Sequence, residues 1–100
     1  MTTKHTQGNW YFDLNLIERN EHGTYGLPIC TDNLDQFLEV ILDSSEPNDE
    51  ELANASLISA APDMLEALQE YMSAYNDNRS LMKFYRLAED AIKKATTIQP

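Results

Sequence analysis

From Trp10 to Ile17 apolar and polar side chains alternate, with Trp10, Phe12, Leu14 and Leu16 on one side and Tyr11, Asp13 and Asn15 on the other. That period of two predicts a half-buried strand. The polar RNEHG stretch with Gly23 is of hairpin-loop length, and the TYGLPIC stretch alternates again through Tyr25, Leu27 and Ile29. Pro28 has no N–H to give to a ladder, which confines this second strand to an edge or shortens it. After Thr31 the period changes. Leu34, Phe37, Leu38, Ile41 and Leu42 recur at helical spacing and predict an amphipathic helix over residues 33–44, with Thr31 or Asp32 as its cap. SSEPNDE reads as a loop around Pro47.

Residues 49–78 have helical composition throughout, but Pro62 removes a donor and disfavours the α conformation at Ala61. Two helices are therefore expected, over about 49–60 and about 62–76, the second with Pro62 in its first turn. Leu65, Leu68, Met72 and Tyr75 form its apolar stripe. Asn76, Asp77 and Asn78 end it. A last helix begins after Arg79, with Leu81, Phe84, Leu87 or Ala88, Ala91 and Ile92 inward and Lys93 and Lys94 near its negative end. The fold class is α+β, an N-terminal β-hairpin packed on three to four α-helices that break near Pro47, Pro62 and residues 76–78. The 100 residues suit one domain with one modest core, residues 1–8 and 96–100 being expected to lie outside its ordered part.

Charge changes this picture more than composition does. Seven basic and seventeen acidic residues give a net charge of −10, and residues 20–78 hold thirteen acids with no Lys or Arg. Nucleic-acid affinity rests on phosphate neutralisation, so direct binding to DNA or RNA is disfavoured, as is an anionic membrane. A basic protein surface is favoured. On a helix over 33–44, Asp32, Asp35, Glu39 and Asp43 would form one acidic stripe at spacings of three and four, continued by Glu46, Asp49, Glu50 and Glu51. These eight residues are the candidate partner-binding set. The stripe would span about 16 Å, or one charge per roughly 5 Å, against about 1.7 Å in duplex DNA.

Candidate catalysis is thin. Cys30 cannot form a disulfide within the chain, and with His22 it makes the only nucleophile and base pair, without an orienting third group. No metal-loop or phosphate-loop motif is present, so no metal or cofactor is implied and no enzyme is expected. No signal-like or membrane-spanning run appears, which places the expected site of action in the cytoplasm. The first strand offers no Lys or Pro along its outer edge, so a homodimer through that edge is expected.

The stretch ANASLISAAPDMLEAL, residues 53–68, resembles an A-N-A-x-L-I-x-A-A-P-x-L-L-x-A-L segment that recurs in small bacteriophage and prophage proteins, several of which also carry a segment similar to AEDAIKKAT and a short upstream strand pair. The resemblance implies a phage context and the host-cell cytoplasm. Many phage inhibitors of host nucleic-acid machines, anti-CRISPR and anti-restriction proteins among them, are small and acidic and set carboxylates where phosphates would sit. The leading expectation is thus a small acidic phage protein that binds a basic surface of a host protein and inhibits a nucleic-acid-binding defence effector by charge mimicry. The alternative is an oligomeric accessory or structural phage protein whose acidic face is merely solvated.

Overall fold

The structure, a computed structural model, describes residues 5–32 and 36–97. Four strands form one antiparallel sheet: β1 (Tyr11–Phe12), β2 (Glu18–Arg19), β3 (Tyr25–Cys30) and β4 (Gln36–Leu42). Two helices follow, α1 (Asp49–Asn76) and α2 (Met82–Thr96). The α+β class stands. Two helices replace the three to four expected.

The alternating run from Trp10 is not one strand. Asp13 accepts a hydrogen bond from the Asn15 N–H at 2.9 Å and starts a 3-10 turn over Leu14–Leu16, because a short carboxylate that satisfies the backbone two residues on competes with the ladder. β1 and β2 therefore pair end to end along the same side of β3, Phe12 opposite Ile29 and Glu18 opposite Gly26. Pairing on that side lapses at Leu27 and Pro28. That gap explains how Pro28 sits in the central strand and not at an edge. The expected β2–β3 loop does form: the Asn20 side chain accepts from the N–H groups of His22 and Thr24, and Gly23 takes the left-handed φ of +84°.

The expected helix over 33–44 is a strand in its described part. β4 pairs with β3 from Tyr25↔Leu42 to Cys30↔Gln36, with an irregularity between Ile29 and Cys30. Its Phe37, Val40 and Ile41 suit a pleated surface, and a two-stranded hairpin is marginal in water until another strand joins it. Apolar residues at 37, 38, 41 and 42 fit the helical period and split between the two faces of a strand, so pairing with β3 decides against the periodicity. Leu34 lies outside the described residues.

Leu27, Ile29 and Leu42 are buried with Ala55 of α1, and Trp10, Phe12, Val40 and Ile58 pack around them. This core sits between the sheet and the N-terminal part of α1. Trp10 is fixed by its indole N–H donating to the Thr6 carbonyl at 2.9 Å and by Phe37, whose ring centroid lies 4.8 Å away.

The two helices expected on either side of Pro62 are one 28-residue helix with Pro62 inside. An interior proline costs about 3 kcal/mol, and packing along α2 overrides that local penalty. Asn48 and Glu51 start α1 with reciprocal side-chain to backbone hydrogen bonds, a capping box. At its end the Arg79 N–H reaches the Ala74 carbonyl and the Asn78 N–H that of Tyr75, with Asn78 at φ +54°. That is a Schellman-type stop, and it turns the chain into α2. The helices pack through Ala60, Ala67, Ala74 and Ala91, all buried.

Candidate functional site

The eight candidate carboxylates do not form a helical stripe. Asp35 lies outside the described residues. Asp32 stands just beyond the Cys30 end of β3 and accepts from the Asn9 N–H at 3.3 Å. Glu39 is exposed in the middle of β4, opposite Pro28, and its carboxylate lies over Gly26, where an added Cβ would collide with it. Asp43, Glu46, Asp49, Glu50 and Glu51 gather at the other end of the sheet, on the link from β4 into α1.

Extension spreads these charges. Four residues separate Glu39 from Asp43, about 13 Å along a strand where a helix would give about 6 Å. The row along β4 is thus sparser than the helix reading required, and further from duplex DNA. What density exists lies at the β4–α1 corner.

Several of these side chains also have work in the fold. Glu51 accepts from the Asn48 N–H at 2.9 Å and from the Asp43 N–H at 3.1 Å, tying the corner together. Asp49 and Glu50 occupy the first turn of α1, where negative charge is favoured by the helix dipole. Glu39 guards an otherwise open edge strand. The side chains of Asp43, Glu46, Asp49 and Glu50 are left pointing to water, all four residues being exposed.

Electrostatically this end stands alone. Among the described residues none of the carboxylates from Asp32 to Glu51 forms an ion pair, whereas Asp63 meets Lys94 at 2.9 Å, Glu70 meets Arg79 at 3.1 Å, and Glu89 meets Lys93 at 4.0 Å. The hydrogen bond that Arg79 donates to the Glu70 carboxylate raises the Arg79 pKa beyond its usual high value.

The possible nucleophile and base are not together. Cys30 ends β3 and His22 sits in the loop before it begins, so the five residue steps of β3 alone put about 16 Å between them. Burial, with Asp13 nearby, raises the Cys30 pKa and holds it as a thiol. Among the described residues no three His, Cys, Asp or Glu side chains are grouped to hold a metal ion, and no helix is long and apolar enough to cross a membrane.

A groove of about 620 Å³ opens between the 3-10 turn and the helices, lined by Tyr11, Asp13, Asn15, Ser59, Lys94 and Thr97 among others. The Ser59 hydroxyl is buried there without a hydrogen-bond partner. Lys94 is already engaged, donating to Asn9 at 2.7 Å as well as pairing with Asp63. Burial, then the nearby Cys30, Asp13 and Asp32, raises the Tyr11 pKa. Sequence reasoning missed this groove because it is assembled from three segments far apart in the chain.

Fold and surface together define a small two-layer α+β protein with an acidic sheet end and a helical hairpin. The model of the family described as Salmonella phage P22 protein Y8K6 matches residues 1–99, and the chain belongs to that phage protein family. No curated protein and no solved structure matches it. The phage context implied by residues 53–68 thus rests on nearly the whole chain.

Proposed function

We propose that this phage protein binds a basic surface of a host protein through the acidic end of its sheet, with Glu39, Asp43, Glu46, Asp49 and Glu50 as the contact set. One observation carries the reading: the carboxylates of this end lack basic partners, while those of the hairpin are largely neutralised within the chain. Unpaired charges on one face raise the encounter rate with an oppositely charged partner and set its orientation. In a phage protein, a nucleic-acid-binding effector of the host is the class of partner whose surface has the required sign. The spacing along β4 argues against a full imitation of duplex DNA. Docking of one acidic corner into a basic cleft is the form of mimicry that remains, and direct binding to nucleic acid is disfavoured by the same charges.

The test is capture of host proteins on the immobilised chain, compared with a Glu39→Lys, Asp43→Lys, Glu46→Lys variant whose circular dichroism is unchanged. Partners held by this end should be lost in the variant. They should also be released as salt rises from 0.1 to 1 M and the Debye length shrinks from about 10 to about 3 Å. A partner retained through both changes would refute the reading.

A further inference from the structure

The hairpin of α1 and α2 turns an apolar surface outward. At about 100° per residue, Ala61, Leu65, Leu68, Met72 and Tyr75 fall in one sector of α1 at spacings of four, three, four and three, and all are exposed. Leu68, Met72 and Tyr75 keep 61%, 55% and 71% of their surface in water. These are the residues that the period of 3.6 marks as a buried stripe. Instead the small residues Ala60, Ala67 and Ala74 face α2, and Ala55 and Ile58 face the sheet.

α2 contributes to the same side. A chain of ring contacts runs from Tyr75 to Tyr71 at 6.3 Å, on to Phe84 at 5.0 Å, and to Tyr85 at 5.6 Å. Tyr85 and Ile92, seven residues apart on one face of α2, are 58% and 61% exposed. The α1 stripe holds no Asp, Glu, Lys or Arg, in a chain of net charge −10; on α2 Glu89 stands between Tyr85 and Ile92 at the same spacing and pairs with Lys93 at 4.0 Å.

We propose that this outer face of the hairpin is the docking surface for a second copy of the chain, related by a twofold axis. Size supports it: from Leu57 to Tyr75 and across two helices the face covers about 27 by 20 Å. That is about 540 Å², towards the top of the roughly 300–600 Å² of the largest apolar patch on a typical monomer and about two-thirds of the roughly 800 Å² per partner of a standard interface. Charge identifies the occupant. The α1 stripe offers a basic partner nothing to pair with and Glu89 already has Lys93, whereas a second copy brings the same uncharged 3,4-spaced ridge of α1, and an isologous contact matches it to itself. Shape agrees, because the radius of gyration is 15.8 Å against about 13 Å for a compact chain of this length. The far part of the hairpin extends past the sheet as one layer of helix. Two copies face to face supply the second layer that a helical stripe needs, and they leave the acidic sheet end free.

The experiment is sedimentation of the full chain at tens of micromolar, beside a Leu68→Glu, Met72→Lys variant and an Arg86→Glu control whose charge change lies off this face. The unmodified chain and the control should have the mass of a dimer. The double variant should be monomeric, its dissociation constant raised about 100-fold or more, with unchanged far-ultraviolet circular dichroism. Dimer mass should persist at 1 M salt, where contacts through the acidic end would not. A monomeric mass for the unmodified chain overturns the proposal. So does a dimer that survives the double variant but is lost on Leu38→Pro, which would place the contact on the β4 edge.

Discussion

The sheet end and the helical hairpin divide apolar and charged side chains in opposite ways. At the sheet end, Leu27 and Ile29 are fully buried, and among the described residues the carboxylates from Asp32 to Glu51 form no ion pair. In the hairpin the carboxylates are mostly paired, the buried apolar residues Ala67, Ala74 and Ala91 are small, and Leu68, Met72, Tyr75, Tyr85 and Ile92 are outside. Stability is therefore concentrated at one end of the molecule. The other end holds surface that only another molecule can bury.

Truncation on each side should expose the difference. Leu27→Ala removes a fully buried side chain and should cost about 3 kcal/mol of unfolding free energy. Leu68→Ala, on a residue 61% exposed, should change the stability of the monomer by less than about 0.5 kcal/mol. Urea unfolding at low protein concentration measures both. Equal costs would break the division.

The residues that misled the pattern are instructive about what a sequence carries. Phe37, Leu38, Ile41 and Leu42 follow the helical period and split between the two faces of a strand, and the need of β3 for a partner selects the strand all the same. Pro62 is a true local breaker, but its effect is overruled by contacts with residues some thirty positions on, which no local rule includes. Conversely, the β2–β3 loop was legible because Asn20 and Gly23 act on their own neighbours. Asn48 and Glu51 form a cap whose N-x-x-E spacing is equally local, but reading SSEPNDE as a loop passes over it. For the candidate site the acidic residues were legible as a set, but their arrangement was not, since it depended on whether residues 36–42 were coiled or extended. The apolar stripe of α1 was legible as well. Its direction was not, because periodicity shows that a face exists without showing what covers it.

Within the sheet end, Gly26 and Glu39 sharpen the comparison at smaller scale. A Cβ at Gly26 would strike the Glu39 carboxylate, which is the far end of a flexible side chain and can swing away. Gly26→Ala alone should therefore be nearly neutral. In a Glu39→Ala background the same change should stabilise by about 0.4 to 1 kcal/mol, because alanine narrows the unfolded chain without a collision. Equal effects in both backgrounds, in a double-mutant cycle, would mean that the two side chains are not coupled.

The smallest effect is a drift at alkaline pH, and it too belongs to the sheet end. Cys30 and Tyr11, near the Cys30 end of β3, both have their pKa raised, each chiefly by burial. In the unfolded chain the thiol loses its proton near pH 9.0 and the phenol near pH 10.0, while in the folded chain both hold on longer. The native state then binds more protons than the unfolded one, so unfolding free energy falls as pH rises. The loss should begin near pH 9 and continue until the folded groups also ionise; below that window these two groups should leave stability flat. In the hairpin Arg79, whose pKa is also raised, stays charged throughout this range. Cys30→Ala should remove the first part of the drift and Tyr11→Phe the second. Urea midpoints at pH 7, 9 and 10 check this, and a midpoint that rises with pH over that interval would show that the sheet end does not hold these groups in their neutral forms.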